Sequence, residues 1–211
     1  EVQEARQLKI PVIPRAEMLA ELMRMKYGIA VAGAHGKTST TSMIALVLEH
    51  GGFDPTIIVG GRLNTIGANA KLGEGDFIVA EADESDASFA LLSPEITVIT
   101  NLDREHLDYY RDLEHIQETF AAYLESLPPA ARVVAWADDP HLAPLLKQFL
   151  GRLITYSLRP GADFWAADLK AQGLGVSFRL VHQGRDLGPM SLPLAGTHYV
   201  LNALAACAVG F

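Results

Sequence analysis

Between Ile29 and His50 an apolar run, a glycine turn, a Lys-Thr pair and a helical pattern follow one another without a break. The apolar segment Ile29–Ala32 reads as a buried strand. Gly33-Ala34-His35-Gly36 reads as a turn, and Lys37-Thr38 opens a helix expected over Thr40–His50. A chain built this way must fold around a strand whose end meets a helix start. There, backbone amides and the helix dipole present positive potential to an anion. The lysine can reach terminal phosphates, and the hydroxyl after it is placed to ligate Mg²⁺. The full G-x-x-x-x-G-K-[ST] pattern is not met, because Val31 stands at its first glycine. What remains is a shorter loop with its own glycine, still a phosphate site for a nucleoside triphosphate.

The rest of the chain supplies a scaffold suited to that loop. Extended runs at Thr56–Val59, Phe77–Glu81, Ile96–Thr100, Arg132–Trp136 and Leu153–Tyr156 alternate with helical patterns at Arg15–Lys26, Leu113–Leu127 and His141–Leu150. Residues 2–8 also read as helix, and Ile10–Ile13 as extended. The alternation predicts an α/β fold, a mostly parallel sheet with helices on both faces. From Asp163 to Leu194 short β-rich runs with Gln-Gly turns predict a small antiparallel edge region. In the helix at Leu113–Leu127, the spacing of Ile116, Phe120, Tyr123 and Leu124 marks a core face.

Two strand ends carry the polar chemistry. Phe77-Ile-Val-Ala-Glu81 runs into Glu81-Ala-Asp-Glu-Ser-Asp86, and Ile96–Thr100 runs into Asn101-Leu-Asp-Arg-Glu-His106-Leu-Asp108. In open α/β sheets ligands sit beyond the carboxyl ends of strands, so both clusters should emerge beside the phosphate loop. Glu81 there can hold Mg²⁺ against the phosphates. His106 is read as a metal residue, with Asp103, Glu105 and Asp108 as groups that orient it. The loop Gly60–Asn69 has three glycines and two asparagines and can approach a substrate closely. In Gly196-Thr-His198-Tyr-Val-Leu-Asn202 a histidine and an asparagine four apart can share one helix face and meet a base edge, although the segment also reads as a helix N-cap.

Composition narrows the class. A net charge of −8 leaves no basic stripe for a nucleic-acid backbone. No apolar run is long enough to insert in a membrane and no signal peptide is present, so a cytoplasmic protein is expected. Cys207, alone in an apolar helical run, reads as a buried structural thiol. The first residue is not methionine and Phe211 lies inside an apolar run without a stop signal. A piece of a longer polypeptide is therefore expected.

Gly33–Thr41 (GAHGKTSTT), Gly60-Gly-Arg-Leu-Asn64, Glu81–Phe89 (EADESDASF), Thr100-Asn101 with Glu105–Asp108, and Gly196-x-His198 with Asn202–Ala206 occur in order along essentially the whole chain. Together they resemble the Mur ligases, ATP-dependent amide-forming enzymes of bacterial peptidoglycan synthesis. The resemblance implies ATP and Mg²⁺ as cofactors, with Lys37, Glu81 and His106 as the catalytic set. Gly33, Ala34, His35, Gly36, Lys37, Thr38 and Ser39 would bind the nucleotide phosphates, and His198 and Asn202 would face adenine. Thr38 and Glu81 would hold one Mg²⁺ and His106 would serve a second metal site. His35, Asn64, Thr65, Asn69, Asp83 and Ser85 would lie toward the muramyl substrate. Tyr199 stands where the family commonly has an asparagine, so Asn202 is the firmer nucleotide contact. Several members use a carbamylated lysine after the histidine, and this chain has no lysine between Lys71 and Lys147. That favours the alanine-adding branch, with UDP-N-acetylmuramate and L-alanine as substrates, or the similar tripeptide-recycling branch. A P-loop NTPase or kinase without ligation, and a degenerate nucleotide-binding module, are the readings outside the family. By the same resemblance residues 1–25 are the tail of a UDP-binding domain with its connecting helix. Residues 26–211 are the central ATP-binding domain, and a C-terminal amino-acid-binding domain is absent.

Overall fold

The computed structural model describes residues 1–63 and 68–211. Its frame is a ten-stranded sheet. In chain order the strands are β1 (Tyr27–Ala32), β2 (Thr56–Leu63), β3 (Ala68–Lys71), β4 (Phe77–Glu81), β5 (Ile96–Ile99), β6 (Arg132–Trp136), β7 (Arg152–Ser157), β8 (Phe164–Gln172), β9 (Gly175–His182) and β10 (Arg185–Leu192). The helices are α1 (Val2–Gln7), α2 (Arg15–Arg24), α3 (Lys37–His50), α4 (Leu113–Ser126), α5 (Ala143–Gln148) and α6 (Thr197–Gly210), with a 3-10 turn at Ser88–Leu91.

The strand order is β10-β9-β8-β7-β6-β5-β1-β4-β2-β3. Neighbours from β2 across to β8 run parallel. The outer strands β3, β9 and β10 pair antiparallel, so the expected antiparallel edge region is present. Strand β1 sits between β4 and β5, and the chain crosses from one side of it to the other. That crossing opens a crevice at the carboxyl end of β1.

Side-chain alternation explains why both faces are covered. Ala30 and Ala32 of β1, Ile78 and Ala80 of β4, and Val133 and Ala135 of β6 join one core, packed under α2, α4 and α5. Ile29, Val31, Val79, Val98 and Val134 point the other way, into a core shared with α3 and α6. Residues of a strand interior buried on both sides read as near-continuous apolar runs, as these do. Helix α4 begins where the Asp112 carboxylate accepts the His115 amide at 2.8 Å, an ordinary N-cap. Its Ile116, Phe120, Tyr123 and Leu124 are buried, as the helical spacing predicted.

Tyr123 also carries a polar tie, its hydroxyl lying 3.0 Å from the buried Thr97 hydroxyl of β5. Tyr123→Phe should cost about 1–2 kcal/mol, because the Thr97 hydroxyl is left without its partner. A lowered urea midpoint with an unchanged slope would register it.

Four sequence expectations are corrected. Ile10–Ile13 forms no strand; all four residues are exposed and pair with no neighbouring strand. Helix α3 starts at Lys37 rather than Thr40. The Gly60–Asn69 segment is not all loop, since β2 continues to Leu63 and β3 begins at Ala68. Cys207 is partly rather than fully buried, and its surroundings push the thiol up to about 11 through desolvation. Among the described residues no helix is long and apolar enough to cross a membrane.

Candidate functional site

The loop after β1 is shaped by two glycines and held by the neighbouring strand. Gly33 has φ +117°, and a Cβ there would lie 2.4 Å from Thr100 Oγ1 and 2.7 Å from the Asn101 carbonyl oxygen. Gly36 is left-handed, with φ 82°, and directly precedes α3; a Cβ on it would lie 2.8 Å from Asn202 Oδ1. Backbone without a side chain is needed at both places. Asn101, just past β5, then clamps the loop. Its backbone oxygen accepts the Ala34 amide at 3.0 Å. Its side chain accepts the His35 amide at 2.8 Å and donates to the His35 carbonyl at 2.9 Å. Ala34 and His35 amides are thereby engaged, which leaves the first turn of α3 as the source of open donors. No side chain caps that turn.

Lys37 and Thr38 meet the acidic cluster after β4. The Lys37 ammonium donates to the carbonyls of Gly33 (2.8 Å) and Ala34 (3.0 Å) and to Glu84 Oε1 (2.6 Å). The Thr38 hydroxyl donates to Glu81 Oε2 at 2.9 Å, and the same oxygen accepts the Gly60 amide of β2 at 2.9 Å. A hydroxyl and a carboxylate so placed are hard oxygen donors at the foot of the phosphate cup, the chemistry that suits Mg²⁺. Glu84 is only 6% exposed in its side chain. Burial pushes its carboxyl upward, against the opposing pull of Lys37.

His106 adopts a left-handed backbone, φ 54°, uncommon outside glycine and asparagine and concentrated at functional sites. Its Nε2 lies 3.4 Å from Glu84 Oε1. One ligand atom each from Glu84, Glu105 and His106 can be chosen within 4.8 Å of one another. His35 joins the periphery, its Nε2 lying 3.1 Å from Asp103 Oδ2 and its Nδ1 3.5 Å from Glu105 Oε1. The Arg104 amide, with His35, holds the Asp103 carboxyl below its ordinary range. The Tyr110 hydroxyl donates to the Glu84 carbonyl at 2.6 Å, which fixes the backbone of the acidic turn.

Beside the loop a cavity of about 550 Å³ opens between the ends of β5, β6 and β7 and the start of α6. His35, Gly36 and Ser39 line both it and the phosphate cup, so the two are continuous. His198, Tyr199 and Asn202 face it from α6, with Trp136 and Tyr156 from the strands. Asp139 borders it too. Burial raises the Asp139 carboxyl above its usual range, although it accepts the amides of Leu142 and His141. The volume suits a nucleoside-sized ligand.

The structure therefore groups Gly33 to Ser39 with Glu81, sets His106 next to Lys37 through Glu84, and places Asn202 directly against Gly36 of the loop, with His198 also lining the cavity. Asp83 and Ser85 instead close a turn on each other, the Asp83 carboxylate accepting the Ser85 amide at 3.0 Å. Burial resists ionisation of Asp83, but bonds from Ser85 and the Lys37 charge hold its carboxyl below the usual range. Asn69 lies exposed on edge strand β3 and lines neither the cup nor the cavity. Asn64 and Thr65 fall outside the described residues.

Sequence reasoning did not single out Glu84, Trp136, Asp139 or Tyr156. Aromatic residues closing two successive strands, β6 and β7, were a usable signal for a cavity wall. Nothing in the run Glu81–Asp86 told which carboxylate turns inward, because strand alternation ends at Glu81.

Comparison with known proteins places these features in a family context. Residues 31–210 match the family model of the Mur ligase middle domain. The UDP-N-acetylmuramate–L-alanine ligase of Desulfotalea psychrophila is 57% identical over all of this chain, which covers 46% of that protein. The corresponding ligase of Geobacter sp. strain M21 is 54% identical over 99% of the chain and 45% of its own length. The chain thus spans about half the length of the curated relatives it matches. Among solved structures, UDP-N-acetylmuramate:L-alanyl-gamma-D-glutamyl-meso-diaminopimelate ligase from Neisseria meningitides superposes with TM-score 0.84 at 28% identity, covering 99% of this chain and 68% of that one. UDP-N-acetylmuramate-alanine ligase from Thermotoga maritima gives TM-score 0.82, also at 28% identity, over 98% of this chain and 46% of that one.

Proposed function

The chain belongs to the Mur ligase family, and from that premise we propose that it is the ATP-binding middle domain of an enzyme joining L-alanine to the lactyl carboxylate of UDP-N-acetylmuramate. Mur ligases are ATP-dependent and form amides, and the relatives at 54–57% identity are named for the alanine-adding reaction. The observation that carries the reading is the convergence of Lys37, Thr38 and Glu81 at the carboxyl ends of β1 and β4, continuous with a nucleoside-sized cavity.

In the proposed chemistry the γ-phosphoryl of ATP passes to the lactyl carboxylate and gives an acyl phosphate. The alanine amine attacks the acyl carbon, and phosphate departs to leave the amide. Two anions approach each other in the first step. Lys37 would offset their repulsion, and the amides of the first α3 turn would receive the phosphate oxygens. Bound Mg²⁺ supplies further charge neutralisation, with Thr38 and Glu81 as the residues to hold it. His106, with Glu84 and Glu105 beside it, would hold a second cation. His198 and Asn202 would orient the adenine. His35, Asp83 and Ser85 would contact the muramyl substrate, with Asn64, Thr65 and Asn69 as the further proposed substrate contacts.

Residues 1–25 are proposed as the connection from a UDP-binding domain and 26–211 as the central domain, in a cytoplasmic enzyme. Helix α2 already packs on this sheet through Leu19, Ala20 and Met23, so the connection would be anchored rather than free. Residues 1–211 alone should not ligate, because the muramyl and amino-acid sites would lie mostly elsewhere.

The test follows phosphate release by the intact ligase with ATP, Mg²⁺ and UDP-N-acetylmuramate. L-alanine should stimulate release, and the recycled tripeptide should not. Stimulation only by tripeptide would move the assignment to the recycling branch. No stimulation by either amine would defeat the ligase reading.

A further inference from the structure

Lys37 carries three N–H donors, and three protein oxygens already accept them, from Gly33, Ala34 and Glu84. A phosphate oxygen can reach the ammonium only by displacing one of these. The two carbonyls belong to the loop that Asn101 clamps, so they move only with the whole site. Glu84 lies on a separate element, the turn after β4, and holds the lysine through one carboxylate oxygen. Its other oxygen, Oε2, is buried without a hydrogen-bond partner among the described residues. We infer that Glu84 is a positioning residue that competes with the incoming phosphate for Lys37 and aims the ammonium until the phosphate takes its place.

The energetics give the inference its direction. A buried carboxylate that loses its partner is costly, and Glu84 has no second bond at Oε2 to soften the loss. Triphosphate binding therefore proceeds against the Lys37–Glu84 pair and is weaker than the loop alone would allow. Glu84→Gln keeps the shape and an acceptor oxygen but removes the charge, so Lys37 can leave without stranding an anion. A structural lesion at this position would weaken binding; the inference requires that it tighten. This rests on the phosphate-site reading given above.

The experiment titrates the intact ligase with ATP in EDTA, by calorimetry, so that no metal contributes. Glu84→Gln should bind ATP at least about tenfold more tightly than the parent, the worth of one charge-assisted hydrogen bond. Glu84→Asp, which restores the carboxylate, should return toward the parent. Asp86→Asn removes the same charge from the same turn, keeps an acceptor for the Ser88 amide, does not touch Lys37, and should shift affinity far less. Equal or weaker binding by Glu84→Gln overturns the inference, and so does equal tightening by Asp86→Asn. A crystal structure of the parent with ATP decides independently of variant folding. Lys37 and Glu84 separated beyond hydrogen-bond reach supports the inference, and a retained pair refutes it. A parent that binds no ATP would defeat the phosphate-site reading instead.

Discussion

Lys37→Ala in the intact ligase is expected to lower turnover on the order of 10³-fold, several kcal/mol of transition-state stabilisation. Lys37 is only 15% exposed in its side chain, so its charge acts across a poorly screened path. The substitution has a second consequence that turnover alone would not separate. Glu84 would be left as a buried carboxylate without its lysine, a lesion worth about 3 kcal/mol of stability when one partner of a buried pair is removed. The double variant Lys37→Ala with Glu84→Gln resolves the two effects. Stability by urea unfolding should largely recover, because the stranded charge is gone, whereas turnover should remain near the single-variant level. Recovery of turnover in the double variant, or near-normal turnover in a folded Lys37→Ala, would show that the lysine does not act on the phosphates.

Gly33→Ala should be nearly as severe, through geometry rather than charge. Its added methyl would sit 2.4 Å from Thr100 Oγ1 and 2.7 Å from the Asn101 carbonyl oxygen, at a φ of +117°. Strained backbone and a clash with main chain together should cost about 3–4 kcal/mol. Relief would have to pull the loop from Asn101, so ATP affinity should fall more than about a hundredfold as the clamp opens. Gly52 provides the contrast, with φ +80° and nothing within 4 Å of a built Cβ. Gly52→Ala should cost only the conformational penalty, about 1 kcal/mol. Urea unfolding of both variants, with ATP titration of the first, checks the pair. Similar costs at the two glycines would mean that the Thr100–Asn101 contact does not shape the loop.

The central sheet was legible because its strands are buried on both faces and read as short apolar runs with clear ends. Phe77–Glu81 and Arg132–Trp136 have the same bounds in sequence and structure. The start of α3 was misplaced because Gly36, in a left-handed conformation, lets the next residue begin the helix without a capping side chain. The ends of β2 and β3 were missed because glycine and asparagine at a sheet edge leave no alternation to follow. Ile10–Ile13 shows the converse: β-branched residues favour a strand only where a neighbour completes the ladder.

The site was legible to the same depth. Lys37 and Thr38 sit at fixed offsets from the glycines, and Glu81 closes a recognisable strand, so the contact between Thr38 and Glu81 follows from the topology. Glu84 lies beyond the strand, in a turn whose path is set by the Tyr110 hydroxyl bonding its carbonyl from a distant segment. No local pattern encodes that bond.

The Asn101 clamp also bears on how portable the nucleotide loop is. Residues 33–41 do not carry their own shape: two of their amides and one carbonyl are anchored on the strand exit next door. Transplanted into another scaffold, that nonapeptide would arrive without its mould. A workable graft must bring β1, β5 and the Thr100-Asn101 step in register, Val31 opposite Val98 and Ala32 opposite Ile99. The smallest transferable piece is a pair of parallel strands, not the motif that advertises it.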